Sequence, residues 1–258
     1  MNSSGLETAS TGVPEIDHVL GGGCPRGTLV LVEETGSERS NYPSFFICMN
    51  FLKEGLLNKE YGIILLTEHS VPEYMQASAR LGANLVPYRS AKLLTLIDAF
   101  SGYAGLMPKL SENEADITIE SPTNTVKLFD EVRNLLMAFD GQGFRNRIRM
   151  IVDSVSTLVA TAGFQKVWNL MLGLQPLHRM TGCTTMGMYY PGMNLPGEAE
   201  SFERLADGVI DFQGREVGDR RMTENFIQIK KMRKSVFLKE RVQYVRSEWE
   251  IKFPTRKM

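Results

Sequence analysis

Cysteine and histidine are scarce in this chain. Cys24, Cys48 and Cys183 lie far apart with no C-x-x-C pair, and His18, His69 and His178 show no paired ligand spacing. Neither a disulfide framework nor a zinc site is signalled. No window approaches the roughly 18 to 20 uninterrupted apolar residues that a bilayer-spanning helix needs. The opening residues MNSSGLETASTG lack the basic and apolar blocks of a signal peptide. A cytoplasmic protein without membrane contact is expected. No Gly/Ser/Pro linker divides the chain and no internal repeat is visible, so residues 1–258 are expected to form one domain.

What the chain does have is the composition of an ordinary globular protein, 43% hydrophobic and 23% charged. The net charge of −1 hides an asymmetry. From Arg215 onward there are 13 Lys and Arg against 6 Asp and Glu, about +7, leaving 16 against 24, about −8, before it. A basic end of this kind suits either a subunit contact against the acidic body or a surface facing RNA, DNA or other phosphates.

Short apolar runs alternate with amphipathic stretches, which is the rhythm of an α/β fold. Residues 28–32, 62–67, 93–97, 150–153, 184–189 and 208–212 are rich in β-branched or bulky apolar residues, as buried parallel strands are. Residues 43–57, 71–81, 125–139 and 164–180 read as helices, with Pro43 and Pro72 suited to first turns. Residues 225–232 and 243–253 alternate enough to add antiparallel strands. Residues 102–124, rich in Gly, Pro, Asn and acidic side chains, are expected to be a surface loop.

The string STGVPEIDHVLGGGCPRG (residues 10–27), followed at once by TLVLV, resembles the entry of the KaiC/RadA branch of RecA-like ATPases. Ile16, Val19 and Leu20 form one face of a short helix, and Gly21 to Gly23 end it. The likeness continues through FLKEGL (51–56), LLTEHS (65–70), IVDSVSTL (151–158), RLADGVIDF (204–212) and IKKMRK (229–234), in the family's order and over most of the chain. It implies a RecA-like fold, a mostly parallel central sheet flanked by helices, with antiparallel C-terminal strands.

After its first strand the family carries G-x-x-x-x-G-K-[ST], whose backbone N–H groups and Lys hold phosphates. Residues 33–44 instead read EETGSERSNYPS, with no second Gly and no Lys. Glu33, Glu34 and Glu38 add negative charge where the family supplies positive charge; Arg39 is the candidate substitute, and the next helix begins near Ser44. Asp153 falls where the family's magnesium-orienting aspartate sits, and Glu68-His69 where the branch carries a Glu-Glu pair that activates water. Glu68 is therefore the weak candidate for a catalytic base. ATP and Mg, held by Arg39, Ser44 and Asp153, are expected only if the loop still works. Lys231 and Arg233 match family residues that reach across a subunit boundary, and Glu33, Glu34 and Glu38 of the next subunit are their expected partners.

These implications favour a non-catalytic RecA/KaiC-like domain, a ring-forming scaffold or regulatory binding module, hexameric and without a bound cofactor. The alternatives are residual ATP binding or a weak ATPase, and a ring subunit binding RNA. The second has its own motif support, since STGVPEIDHVLGGG, a strand ending in Glu-Glu and then FL-x-EG also resemble RecA-like accessory subunits of Elongator, which would add other RecA-like subunits as partners.

Overall fold

The apolar runs become the strands of one large sheet, and the amphipathic stretches become the helices that cover it. A computed structural model describes residues 7–35, 42–103, 115–217, 222–247 and 250–254. The chain opens with β1 (Thr8–Ala9), α1 (Pro14–Val19), β2 (Cys24–Pro25), β3 (Leu29–Glu34), α2 (Tyr42–Leu57) and β4 (Tyr61–Leu66). It continues through α3 (Val71–Arg80), α4 (Val86–Ser90), β5 (Leu94–Asp98), α5 (Phe100–Tyr103), β6 (Ile117–Thr118) and α6 (Thr125–Phe139). After a π-helical turn come β7 (Ile148–Asp153), α7 (Val155–Ala162), α8 (Phe164–Thr181), β8 (Thr184–Tyr189) and α9 (Pro196–Leu205). The last strands are β9 (Gly208–Val217), β10 (Met222–Met232), β11 (Arg241–Ser247) and β12 (Glu250–Lys252).

The strand order is β12-β11-β10-β9-β3-β8-β7-β4-β5-β6. From β9 to β6 every pairing is parallel; β9 to β12 run antiparallel. Alternation along β3 splits the core between the two faces: Val30 and Val32 pack with Ile47, Phe51 and Leu52 of α2 and Tyr74 of α3. Leu29 and Leu31 pack on the other face with Leu128 of α6, Leu158 of α7, Leu170 of α8 and Phe202 of α9. Strands buried on both faces read as continuous apolar runs, which is why they stand out in the sequence.

Four helices do not stand out: the short α4 and α5, and the longer α7 and α9. The apolar stretch of α7 follows β7 with no Gly or Pro between them and reads as more strand. What turns it is Ser154, whose Oγ accepts the Thr157 N–H at 3.1 Å as an N-cap. The Pro196-Gly197 start of α9 resembles a loop, but Pro suits a first helical turn, and the Glu198 carboxylate accepts the Leu195 N–H at 3.3 Å. Part of the expected loop over residues 102–124 is β6, which adds a short parallel edge; residues 104–114 lie outside the described ones. The expected strand over residues 243–253 is two, β11 and β12. No helix among the described residues is long and apolar enough to cross a membrane.

At the amino ends of the strands, Arg149 of β7 is only 2% exposed. Its guanidinium donates to both carboxylate oxygens of Glu60 (2.7 and 3.0 Å), to the Ser10 carbonyl (2.6 Å) and to the Phe51 carbonyl (2.7 Å), and lies 4.6 Å from the Phe51 ring centre. Gly55 makes room for it, since a Cβ there would stand 2.4 Å from the Arg149 side chain. Arg26 adds a second fork to the same carboxylate at 2.6 and 2.7 Å. One carboxylate thus joins the N-terminal segment, α2 and β7. Burial works against its charge, but the hydrogen bonds from Arg26 and Arg149 outweigh burial and hold the Glu60 pKa at about 2.

Removing one partner of a buried pair leaves the other charge uncompensated. Glu60→Gln is therefore expected to destabilise the fold by about 3–5 kcal/mol in denaturant unfolding. Because the folded pKa lies below the unfolded one, this contribution is present above about pH 4.5 and is lost as pH falls toward about 2. In Glu60→Gln that part of the acid dependence should vanish.

Candidate functional site

Open parallel sheets place ligands beyond the carboxyl ends of their strands. Here those ends carry Glu33 and Glu34 on β3, Thr67 to His69 after β4, Asp153 and Ser154 after β7, and Tyr189 and Tyr190 at β8.

Successive residues of a strand face opposite sides, so Glu33 and Glu34 separate. Glu33 is 0% exposed, and its Oε2 accepts from Lys230 Nζ at 2.8 Å. Lys230 also contacts Glu203 (3.1 Å) and Asp211 (3.6 Å). Burial opposes the Lys230 charge, but the contact with Glu33 and the other two carboxylates outweighs it and holds the ammonium above the ordinary lysine value. Lys230 reaches this position because the β9–β10 register shifts between Ile229 and Lys231, a bulge that re-aims one side chain. The sequence reading names Lys231 and Arg233 and misses Lys230, since a bulge leaves no mark in the alternation.

On the other face, Glu34 Oε1 accepts the Ser44 N–H at 2.8 Å. Ser44 lies in the first turn of α2, where backbone N–H groups have no intrahelical acceptor. Its side chain is fully buried, with Oγ 3.5 Å from the Tyr190 hydroxyl. Burial pushes the Glu34 pKa up to about 7, against the Ser44 contact. The carboxylate thus occupies the position at which an anion would meet that N–H.

Asp153 is 1% exposed, and its Oδ2 stands 2.8 Å from His69 Nδ1. The two are brought together by the β4–β7 register, which pairs Leu66 with Asp153. The hydrogen bond to Asp153 raises the His69 pKa, and burial opposes it. Glu68 is taken up by hydroxyls: its Oε2 accepts from Ser154 Oγ at 2.7 Å and from Thr157 Oγ1 at 3.0 Å. Asp153 and Glu68 are thus neighbours, each with a partner of its own.

Lys231 and Arg233 are employed at α9. The last carbonyls of a helix lack intrahelical donors and attract cations. Lys231 Nζ donates to the carbonyls of Glu203 (2.9 Å), Arg204 (3.1 Å) and Ala206, and Arg233 to that of Arg204 (3.0 Å), with Asp207 at 3.5 Å. Gln175 supplies the Leu205 carbonyl at 2.6 Å. Within one chain Glu33 meets Lys230, and Lys231 and Arg233 hold the end of α9; their expected pairing with Glu33, Glu34 and Glu38 across a subunit boundary is not tested by a single chain. Arg39 and Glu38 lie outside the described residues.

A triphosphate with magnesium requires N–H donors and cations facing the start of α2 and a carboxylate free to orient the metal's water shell. Residues 36–41 lie outside the described ones, and of the described groups Asp153 Oδ1 is buried without a hydrogen-bond partner, while the others are engaged. The Ser44 N–H is turned to Glu34, Asp153 to His69 and Glu68 to two hydroxyls. Among the described residues no group of three or more His, Cys, Asp or Glu is arranged to hold a metal ion.

A family model described as "ATPase: KaiC" matches residues 9–253. The chain is 27% identical over 220 residues to a UPF0273 protein of Methanopyrus kandleri, covering 83% of this chain and 80% of that one. It is 27% identical over 201 residues to a UPF0273 protein of Pyrococcus horikoshii, covering 78% and 75%. Among solved structures, a KaiC-like protein of Pyrococcus horikoshii OT3 superposes with a TM-score of 0.71 at 18% identity, covering 97% of this chain and all of that one.

Because the folded His69 pKa is raised, the His69–Asp153 contact contributes stability that is full below about pH 6.5 and is lost as pH rises through the folded value. Denaturant unfolding between about pH 6 and about pH 8 is expected to show this decline in the natural chain. His69→Asn is expected to be less stable at the acid end and to lack the decline.

Proposed function

The chain belongs to the KaiC family of ATPases, and we propose that within it this protein acts without hydrolysing nucleotide, as a self-assembling scaffold or regulatory binding module. The observation that carries this is the Glu34 carboxylate 2.8 Å from the Ser44 N–H at the start of α2. In a phosphate-binding loop that N–H, with a nearby Lys, faces the ligand; here residues 33–44 contain no Lys, and a carboxylate of the same chain takes the place of the anion. Asp153 adds less to this reading: its Oδ2 faces His69 at 2.8 Å, while its buried Oδ1 has no hydrogen-bond partner among the described residues.

Assembly follows from charge. The basic region from Arg215 onward, about +7, and the acidic remainder, about −8, supply the two unlike faces that a head-to-tail, ring-closing interface needs. A hexamer formed without nucleotide is the expected state; light scattering at tens of micromolar protein in low salt checks it, and a monomer there would contradict the homo-oligomeric form.

A second reading has one observation in its favour: Asp153 and Glu68 are adjacent at the strand ends, the Glu68 N–H donating to the Asp153 carbonyl at 3.1 Å. Residual nucleotide binding through them and Arg39 would show as magnesium-dependent heat. Calorimetry with ATP and Mg decides between the two: no dissociation constant below about 10 μM is expected, and one below it, near −7 kcal/mol, would overturn the non-catalytic reading. An RNA mobility shift that weakens steeply with salt would instead favour the RNA-binding ring.

A further inference from the structure

At the other end of the sheet, the amino ends of β4 and β7 border a cleft of about 390 Å³, lined by Arg26, Arg145 and Arg147 together with Asn58 and Asn146. Two carboxylates, Glu7 and Glu60, also border it. Glu60 is offset twice over, since Arg26 and Arg149 both fork onto it. Glu7 is exposed on the rim.

Arg147 has no carboxylate partner among the described residues. Its Nη2 donates to the Asn58 and Lys59 carbonyls (3.2 and 3.0 Å), and its Nε and Nη1 meet no protein acceptor there. Arg145, with a side chain 61% exposed, donates to the Met180 carbonyl at 2.9 Å and has Asp140 at 3.2 Å. The Asn146 side-chain amide makes no hydrogen bond among the described residues. Donors are therefore left over on two guanidinium groups and an amide that share one cleft.

The backbone beneath them is held on three sides. Asn146 N donates to Thr181 O (2.9 Å), Arg147 N to Phe144 O (2.8 Å), and Arg147 O accepts from Tyr61 N (2.8 Å). Asn146 and Lys59 both have left-handed φ, 59° and 56°, a conformation uncommon for residues with side chains. The arginines are presented by a fixed turn rather than a loose loop.

We propose that this cleft is a second binding site, for the phosphate group of a small phosphorylated molecule, with Arg147 as its main charged contact. A flat carboxylate is satisfied by one guanidinium fork, as Glu60 is by Arg26. The free donors of two guanidinium groups and an amide, presented by one turn beside the Arg26 fork, suit a tetrahedral anion with three or more acceptor oxygens. The volume falls within the usual range for small ligands, and Glu7 and Glu60 on the border disfavour a long polyanion.

The test is calorimetry on the intact chain at low salt with inorganic phosphate and glycerol 3-phosphate, acetate as the flat-carboxylate control, and a short single-stranded RNA. Both phosphates are expected to bind with a dissociation constant no weaker than about 1 mM, and acetate not to bind. Arg147→Gln and Arg145→Gln should each weaken phosphate binding about tenfold or more. The Arg145 side chain is largely exposed, so its variant keeps the test open if Arg147→Gln folds poorly. Glu200→Gln, exposed on α9 and not lining the cleft, should leave phosphate binding unchanged. No phosphate heat at about 10 mM would overturn the proposal. So would binding that survives both arginine changes, equal binding of acetate, or loss of binding in Glu200→Gln. RNA that binds more tightly than the small phosphates and is lost in Arg147→Gln would also overturn it, in favour of a polyanion surface.

Discussion

The first backbone N–H groups of a helix have no acceptor within the helix, and where a helix starts at the carboxyl edge of a parallel sheet they must find one from the sheet or from a ligand. At the start of α2 the Ser44 N–H finds Glu34, from the last residue of β3, at 2.8 Å. That contact sets the character of the carboxyl end. A carboxylate already there leaves an incoming phosphate with both repulsion and one donor fewer. Its neighbours are also engaged from inside, Asp153 Oδ2 by His69, Glu68 Oε2 by Ser154 and Thr157 and Glu33 Oε2 by Lys230, but Asp153 Oδ1 and Glu33 Oε1 are buried without a partner among the described residues.

The amino end of the same sheet is organised differently. Its central charge pair is buried, with Arg149 and Arg26 converging on Glu60, and it serves cohesion between the N-terminal segment, α2 and β7. Around that pair the remaining arginines, Arg145 and Arg147, face a cleft instead of a carboxylate-filled edge. The chain thus belongs to a family of ATPases, while the carboxyl end of its sheet is acidic and the other end carries Arg145 and Arg147.

The parallel strands are legible in sequence because both of their faces are buried, which leaves unbroken runs such as TLVLV and GIILL. The helix α6 is legible through its amphipathic periodicity and α2 as a long apolar stretch opening at Pro43, and the family likeness orders the pieces. The rest depends on contacts that spacing does not record. His69 and Asp153 are 84 residues apart and meet only because β4 lies beside β7. Lys230 replaces Lys231 as the partner of Glu33 because of a one-residue bulge. Within the chain Lys231 and Arg233 meet the last carbonyls of α9, a helix hidden behind a Pro-Gly start, a contact that spacing does not announce.

If Glu34 occupies the anion position at the start of α2, its carboxyl is desolvated and titrates far from the ordinary range. Carbon-13 NMR of the Glu34 carboxyl, followed through a pH titration with and without ATP and Mg, tests this directly. A midpoint near the value of about 7 to which burial raises it, unmoved by nucleotide, is the predicted result. A midpoint near the ordinary 4.5, or one that shifts when ATP and Mg are added, would show that the position is open to solvent or to ligand and would contradict the account.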